Sequence, residues 1–92
     1  MQAIWNGQVI AESDATVVVE GNHYFPPGDV DMKFFEPTKH STHCPWKGDA
    51  SYFAIVVNGE RNENAAWQYK TPKDAAQNIL NHFAFWKGVE VR

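Results

Sequence analysis

Residues 50–57, Ala50-Ser51-Tyr52-Phe53-Ala54-Ile55-Val56-Val57, form an apolar and aromatic run that Asn58-Gly59 follows directly. A run of this length and composition predicts a central β-strand. Asn-Gly between two such runs is the strongest short signal for a hairpin turn. After the polar residues 61–64, Ala65–Lys70 predicts the returning strand. The middle of the chain is therefore expected to be an antiparallel hairpin.

Turn signals of the same kind recur towards the N-terminus, at Asn6-Gly7 and at Gly21-Asn22. Each lies between two short runs that suit strands, and Pro26-Pro27 ends the last of these runs. Glu36-Pro37 stops a short apolar piece, and the polar residues Thr38–Thr42 predict a loop. The strands predicted outside the central hairpin are Ala3–Trp5, Gln8–Ala11, Thr16–Glu20, His23–Phe25, Thr42–Cys44, Ala84–Trp86 and Val89–Val91.

One helix is predicted, at Pro72–Phe83. Thr71 suits the N-cap, Pro72 the first helical position and Asp74 the acid-preferring first turn. An apolar face at helical spacing follows, made by Ala75, Ala76, Ile79, Leu80 and Phe83. Many strands and one late helix predict a mainly β (α+β) fold of antiparallel sheets, with residues 1–92 as a single domain.

Composition and charge exclude several classes of function. The formal net charge of −3, without a run of Lys or Arg, argues against binding to a nucleic-acid backbone. No apolar stretch approaches the roughly 20 residues of a membrane span, and the first residues do not resemble a signal peptide. Cys44 is the only cysteine, so no intramolecular disulfide is possible. We expect a cytoplasmic protein.

The segment Ser41–Gly48 carries the densest set of reactive side chains, and His40 precedes it. Pro45 and Gly48 bracket Trp46-Lys47 as they would in a turn, and turn residues project outward, where functional groups are common. The alternative is a strand end with polar surface groups and a buried cysteine. The sequence therefore marks a candidate site here without fixing its chemistry.

Zinc binding and cysteine catalysis each lack a residue that they require. His40 and His43 have ligand-like spacing and Cys44 follows, but a structural zinc site needs four ligands and there is no second cysteine. A nucleophilic Cys44 would need a nearby base. The adjacent His43 is expected on the opposite strand face, since neighbouring strand residues point to opposite sides. We therefore predict no metal ligand and no catalytic residue.

A second candidate feature is aromatic. Trp67 and Tyr69 alternate along one predicted strand and so share a face. Tyr52 lies on the neighbouring strand, and Tyr24 and Trp46 could complete a pocket. Such pockets suit flat rings, sugars or cations. The alternative is that these rings form part of the core.

Longer motifs connect these features. They are Tyr24-Phe25-Pro26-Pro27, Asp29-Val30, Thr42-x-Cys44-Pro45-Trp46-Lys47-Gly48-x-Ala50-x-Tyr52 and Ala65-Ala66-Trp67-x-Tyr69, then a Pro-capped helix with Ala75 and Ile79. In this order, over nearly the whole chain, the sequence resembles a small bacterial family catalogued as domain of unknown function 427. The Cys44–Gly48 block is the most specific part of the resemblance.

The resemblance implies a β-tent-like fold, with two antiparallel sheets pinned together as in methionine sulfoxide reductase B and the ligand-binding domain of cereblon. Many of those relatives carry a zinc bound by four cysteines, which Cys44 alone cannot reproduce. The family is also labelled nucleotidyltransferase-like, but Asp29-x-Asp31 has no Gly-rich phosphate loop before it. The residues carried over with the motif are Tyr24, Thr42, Cys44, Pro45, Trp46, Lys47, Gly48, Trp67 and Tyr69.

The leading prediction is a domain that binds a small molecule or peptide in an aromatic-lined pocket near Thr42–Gly48, without a cofactor. Trp46, Lys47, Trp67 and Tyr69 are expected to converge. One alternative is an enzyme, either nucleotidyltransferase-like or dependent on Cys44 or His43. Another is a protein-interaction module with exposed aromatic residues. The predicted site residues are Tyr24, Thr42, His43, Cys44, Trp46, Lys47, Trp67 and Tyr69.

Overall fold

The computed structural model describes residues 1–92 and is built almost entirely from short strands. Three short 3₁₀ helices lie between them, at Pro27–Asp29, Met32–Phe34 and Asp74–Ile79. The strands are β1 (Gln2–Trp5), β2 (Gln8–Glu12), β3 (Val17–Val19), β4 (Asn22–Tyr24), β5 (Phe35–Cys44), β6 (Gly48–Val57), β7 (Glu60–Tyr69), β8 (Phe83–Phe85) and β9 (Glu90–Val91).

The strands form three antiparallel sheets, which confirms the predicted mainly β fold class. The largest sheet has four strands in the order β5-β6-β7-β8. A three-stranded sheet, β2-β1-β9, joins the two ends of the chain, and β3 and β4 form a separate two-stranded sheet. No helix of the chain is long and apolar enough to cross a membrane.

Left-handed two-residue turns connect the hairpins. Asn6-Gly7 and Asn58-Gly59 lie where the sequence predicts them, with φ of 50° and 74° at the first turn and 51° and 78° at the second. The turn predicted at Gly21-Asn22 is wrong by one residue: it is formed by Glu20-Gly21, with φ of 53° and 79°. Glu20 therefore leaves the strand and occupies a position that usually takes Asn, Asp or Gly.

The loop predicted at Thr38–Thr42 is also wrong, because these residues lie within β5. Polar residues are compatible with a strand here because β5 pairs with β6 on one side only and most of its side chains are exposed. The pairing of β5 with β6 is irregular between Pro37 and Ser41. Similarly, the polar residues 61–64 belong to β7, which runs from Glu60 to Tyr69.

The long helix predicted at Pro72–Phe83 is replaced by the 3₁₀ helix Asp74–Ile79, in which Ala76 is not helical. Strand pairing interrupts the helical pattern. Asn81 adopts φ of 61° and donates its N–H to the Tyr69 carbonyl at 2.9 Å. Phe83 then exchanges backbone hydrogen bonds with Phe25, at 2.8 and 2.9 Å. Tertiary pairing thus overrides local helix propensity.

The core has two parts, which lie on opposite faces of the four-stranded sheet. Alternation along β6 directs Phe53, Ile55 and Val57 to one face, and Ala50 and Tyr52 to the other. The first face is packed with phenylalanines whose rings meet edge to face, such as Phe83 with Phe35 and Phe53. We call these the Phe face and the Tyr/Trp face. The rings of the Phe face are Phe25, Phe35, Phe53, Phe83 and Phe85.

Candidate functional site

The Tyr/Trp face gathers rings from neighbouring strands because of its register. Tyr52 on β6 lies opposite Trp67 on β7, and Ala50 lies opposite Tyr69. Ala84 on β8 lies opposite Trp67 on its other side. Small side chains thus alternate with large ones across the face, which leaves space between the rings.

That space is an open cleft of about 170 Å³. The Tyr52 and Trp67 ring centroids are 6.4 Å apart, and Trp86 meets Trp67 edge to face at 6.0 Å. Trp86 is 47% exposed, so it forms an outer wall, and its indole N–H donates to the Asn64 carbonyl at 2.6 Å. The lining residues are Lys47, Tyr52, Trp67, Tyr69 and Trp86.

Tyr24 is a fully buried support for this cleft. Its hydroxyl accepts a hydrogen bond from Trp67 Nε1 at 3.1 Å, and its ring centroid lies 6.5 Å from that of Tyr69. Burial raises the pKa of Tyr24 more than the hydrogen bond from Trp67 lowers it. Tyr24 is therefore a neutral phenol, and its hydroxyl holds the Trp67 indole in place.

Lys47 is held in place by the segment that precedes the last 3₁₀ helix. Its carbonyl accepts the Lys73 N–H at 2.9 Å, and Lys73 Nζ donates to the Pro45 carbonyl at 2.7 Å. Gly48 has φ of 110°, and a Cβ there would lie 3.3 Å from the Thr71 carbonyl oxygen. Glycine at this position allows the two segments to approach, which directs Lys47 towards the cleft.

The Lys47 side chain is nearly buried, with 7% of the residue exposed. Its ammonium is paired with the Glu20 carboxylate and lies 5.3 Å from the Trp46 ring centroid and 5.5 Å from that of Tyr69. Burial lowers the pKa of Lys47, but the hydrogen bond to Glu20 and nearby negative charge outweigh it, so the pKa is raised. The same hydrogen bond lowers the pKa of Glu20.

A pair of hydroxyls lies beside the cleft. Thr42 Oγ1 and the Tyr52 hydroxyl are 3.0 Å apart, and either can donate. Because the two groups have two O–H bonds and share one hydrogen bond, one O–H is left to donate elsewhere. The His40 ring packs edge-on against Tyr52, with centroids 4.5 Å apart.

His43 and Cys44 have separate surroundings. His43 Nδ1 lies 2.7 Å from Asp49 Oδ1 on an exposed part of the β5–β6 pair. Cys44 is half-buried, packs against the Tyr/Trp face and forms no hydrogen bond with an imidazole. The adjacent His43 is thus hydrogen-bonded to Asp49 and not to Cys44.

No group of three or more His, Cys, Asp or Glu side chains is arranged to hold a metal ion. His23 is hydrogen-bonded to Thr16, and His82 is hydrogen-bonded to the Leu80 carbonyl. Asp29 accepts a hydrogen bond from Ser13 Oγ at 2.6 Å. Asp31, the other residue of the Asp29-x-Asp31 pair, forms an ion pair with Lys33 at 3.5 Å.

Of the predicted site residues, Lys47, Trp67 and Tyr69 line the cleft, and Tyr24 supports it. Trp46 does not line it but contacts Lys47 from outside. The other predicted residues lie apart from the cleft lining: Thr42 beside Tyr52, His43 on the exposed surface and Cys44 within the packed face.

The predicted site did not include three residues that the structure brings there. Tyr52 belongs to the aromatic pocket expected from the sequence but not to the predicted site residues, and the hairpin register around Asn58-Gly59 places it on the Trp67 face. Trp86 follows from the pairing of Ala84 with Trp67, which no local pattern reveals. Glu20 reaches Lys47 across 27 residues, and no signal in the sequence links them.

Comparison with known proteins gives a family without an assigned activity. No curated protein matches the chain. The family model described as a domain of unknown function, DUF427, matches residues 1–92. The match covers both segments that build the cleft, the Pro45–Gly48 turn and the β6–β7 hairpin. The chain therefore belongs to the DUF427 family.

Proposed function

We propose that this protein binds one flat ring, of a small molecule or of a peptide side chain, in the aromatic cleft. The observation that carries the proposal is the cleft itself, where four aromatic side chains and one lysine surround an open space on the Tyr/Trp face. Aromatic walls with a few placed polar groups are the usual composition of a ligand site.

The size of the cleft limits the ligand. Pockets for drug-sized molecules usually have volumes of about 300–1,000 Å³. The cleft has about 170 Å³, so it accommodates a single ring rather than a whole drug-sized molecule. Trp67 and Trp86 are in edge-to-face contact, with an interplanar angle of 88°, so they form a corner in which a ring can stack on one indole and meet the other edge to face.

The polar groups favour a ring that carries a hydrogen-bond acceptor. Lys47 has three N–H donors, of which Glu20 takes one and the Tyr69 hydroxyl is the neighbour of a second, so one remains for another acceptor. The Thr42 and Tyr52 hydroxyls leave one further O–H to donate. A ring with a carbonyl or similar acceptor would therefore find both stacking and hydrogen-bonding partners.

We propose no catalytic role for Cys44 or His43, because the imidazole is paired with Asp49 and the thiol has no base beside it. A protein-interaction module is supported less well, because the most exposed apolar residues come from separate elements. We further propose that the protein works in the cytoplasm, since Cys44 is its single cysteine.

A thermal-shift screen tests the ring-binding proposal, with nucleosides, nucleotides, amino acids and sugar phosphates as compounds. A ligand at a hundredfold excess over its Kd stabilises the native state by about 2.7 kcal/mol. For a domain of this size we expect the melting temperature to rise by roughly 10–20 °C. Trp86→Ala removes the outer wall and should lose most of the shift.

Trp5→Ala is the matched control, since Trp5 is a partly buried tryptophan that packs against the Phe face. Each variant is compared with its own ligand-free melting temperature, and Trp5→Ala and Cys44→Ser should both retain the shift. A shift that survives in Trp86→Ala, or the absence of any compound that raises the melting temperature, contradicts the proposal.

A further inference from the structure

Lys47 is the only charged residue that lines the cleft. Lys87 contacts the outer wall, with its Nζ 5.1 Å from the Trp86 ring centroid, but does not line the cleft. The charge that a ligand meets inside therefore depends on the state of Lys47. An unpaired, nearly buried ammonium would strongly favour an anion, since charge-assisted hydrogen bonds are stronger than neutral ones.

Lys47 is not unpaired, because its ammonium already forms an ion pair with the Glu20 carboxylate. The pKa of Glu20 is lowered and that of Lys47 is raised, so both groups are charged at neutral pH. The pair has no net charge. The remaining Lys47 N–H can still donate to a neutral acceptor.

Glu20 is tethered to the fold, whereas a free anion is not. It lies in the turn between β3 and β4, and Val17 and Val19 of β3 pack against the Tyr/Trp face. A tethered group typically competes at an effective concentration of millimolar order or above. The Glu20 side chain is 52% exposed, so the ion pair borders on solvent and exchange with an incoming anion is sterically open.

We infer that Glu20 sets the charge of the ligand: by occupying Lys47, it makes the cleft select an uncharged flat ring with a hydrogen-bond acceptor and disfavour a ring that bears a carboxylate. The inference rests on the proposed ring-binding function. It adds a specificity-determining residue that does not itself line the cleft. Removing the Glu20 charge should convert the site to one that prefers aromatic carboxylates.

Benzamide and benzoate test this inference, because they share the ring and nearly the shape but differ in charge. Their Kd values are measured by NMR titration with the wild type and with Glu20→Gln. We expect the wild type to bind benzamide more tightly. In Glu20→Gln the benzoate affinity should rise by about tenfold, the usual scale for gaining one charge-assisted hydrogen bond, with little change for benzamide.

Two further variants complete the design. Glu60→Gln removes the same charge at the far end of the β6–β7 hairpin, where Glu60 has no ion pair, and should leave the ratio of the two Kd values unchanged. Glu20→Asn is the second variant, to be used if Glu20→Gln does not fold. Asn is favoured at a turn position with φ of 53°. This variant should show the same gain in benzoate affinity.

An unchanged ratio in both Glu20 variants, or a wild type that prefers benzoate, overturns the inference while ring binding stands. If neither compound binds the wild type or any of the three variants, the ring-binding function fails and the inference fails with it. Preference for benzamide in the wild type, with a gain for benzoate only in the Glu20 variants, supports both.

Discussion

The two faces of the four-stranded sheet contrast in the aromatic residues they use. All five buried phenylalanines lie on the Phe face and are at most 8% exposed. All three tyrosines pack on the other face, with Trp67, and Trp86 stands at its edge. A single strand serves both, since Tyr52 and Phe53 are neighbours on β6 and point to opposite sides.

The contrast shows how ring chemistry separates stability from recognition. Phenylalanine has no polar atom, so it can be closed off from water without needing a hydrogen-bond partner. Tyrosine and tryptophan carry one polar tip each and can stand at an open boundary. Here the tips of Tyr24, Tyr52, Trp67 and Trp86 all have partners within the chain. The rings are therefore held rigidly while one side remains open.

The largest expected effect is on the Phe face. Phe83→Ala removes a ring that is 2% exposed and contacts Phe35 and Phe53 at centroid distances of 5.3 and 5.2 Å. We expect the free energy of unfolding, measured by urea denaturation, to fall by about 3–5 kcal/mol. Trp86→Ala on the other face should cost less than half as much. If both variants lost the same free energy of unfolding, the proposed difference in stability between the two faces would be wrong.

A smaller effect is expected at Gly48, which places Lys47 beside the Tyr/Trp face. Gly48→Ala introduces a Cβ 3.3 Å from the Thr71 carbonyl oxygen at a φ of 110°. The backbone strain should lower the free energy of unfolding by about 1–3 kcal/mol and weaken benzamide binding as Lys47 shifts. Gly28→Ala is the matched control, because a Cβ on Gly28 would meet no atom within 4 Å and the residue has no positive φ. Its stability should stay near that of the wild type.

The smallest effect concerns the Glu20–Lys47 pair and depends on pH. The pKa of Glu20 is lowered from 4.5, so its contribution is present above that pH and is lost as the pH falls through the folded-state value. The pKa of Lys47 is raised from 10.5, so its contribution is present below that pH and is lost as the pH rises through the folded-state value.

The wild type should therefore exceed Glu20→Gln in stability by a constant amount between about pH 5.5 and pH 9.5, and the difference should shrink on both sides. Urea denaturation across this range measures it. Glu60→Gln, which removes a carboxylate that forms no ion pair, is the control variant measured over the same range. A difference that continues to grow below pH 4 would contradict the assignment of the pair.

Local signals in the sequence account for much of the fold. Asn6-Gly7 and Asn58-Gly59 place two hairpins correctly because the left-handed turn depends on those residue types. The wrong predictions are those in which contacts between residues far apart in the sequence determine the local structure. Phe83 leaves the predicted helix to pair with Phe25, which lies 58 residues earlier in the sequence, and the polar part of β5 is ordered by β6.

The candidate site shows the same limit. Trp67 and Tyr69 could be placed together because they alternate on one strand, and Lys47 because its motif is specific. Glu20 could not, because its ion pair depends on how the β3–β4 hairpin lies against the large sheet. Its turn is also displaced by one residue from the position that the sequence predicts.

The outer edge of β5 bears on how the protein behaves when crowded. An unpaired strand edge presents N–H and C=O groups to which a strand of another molecule can hydrogen-bond, and such pairing often begins aggregation. On β5, Pro37 lacks an N–H, Lys39 adds a charge and the register is broken between Pro37 and Ser41. Any strand that docks there meets an interruption in the middle of the edge, so this boundary of the sheet resists growth into a fibre.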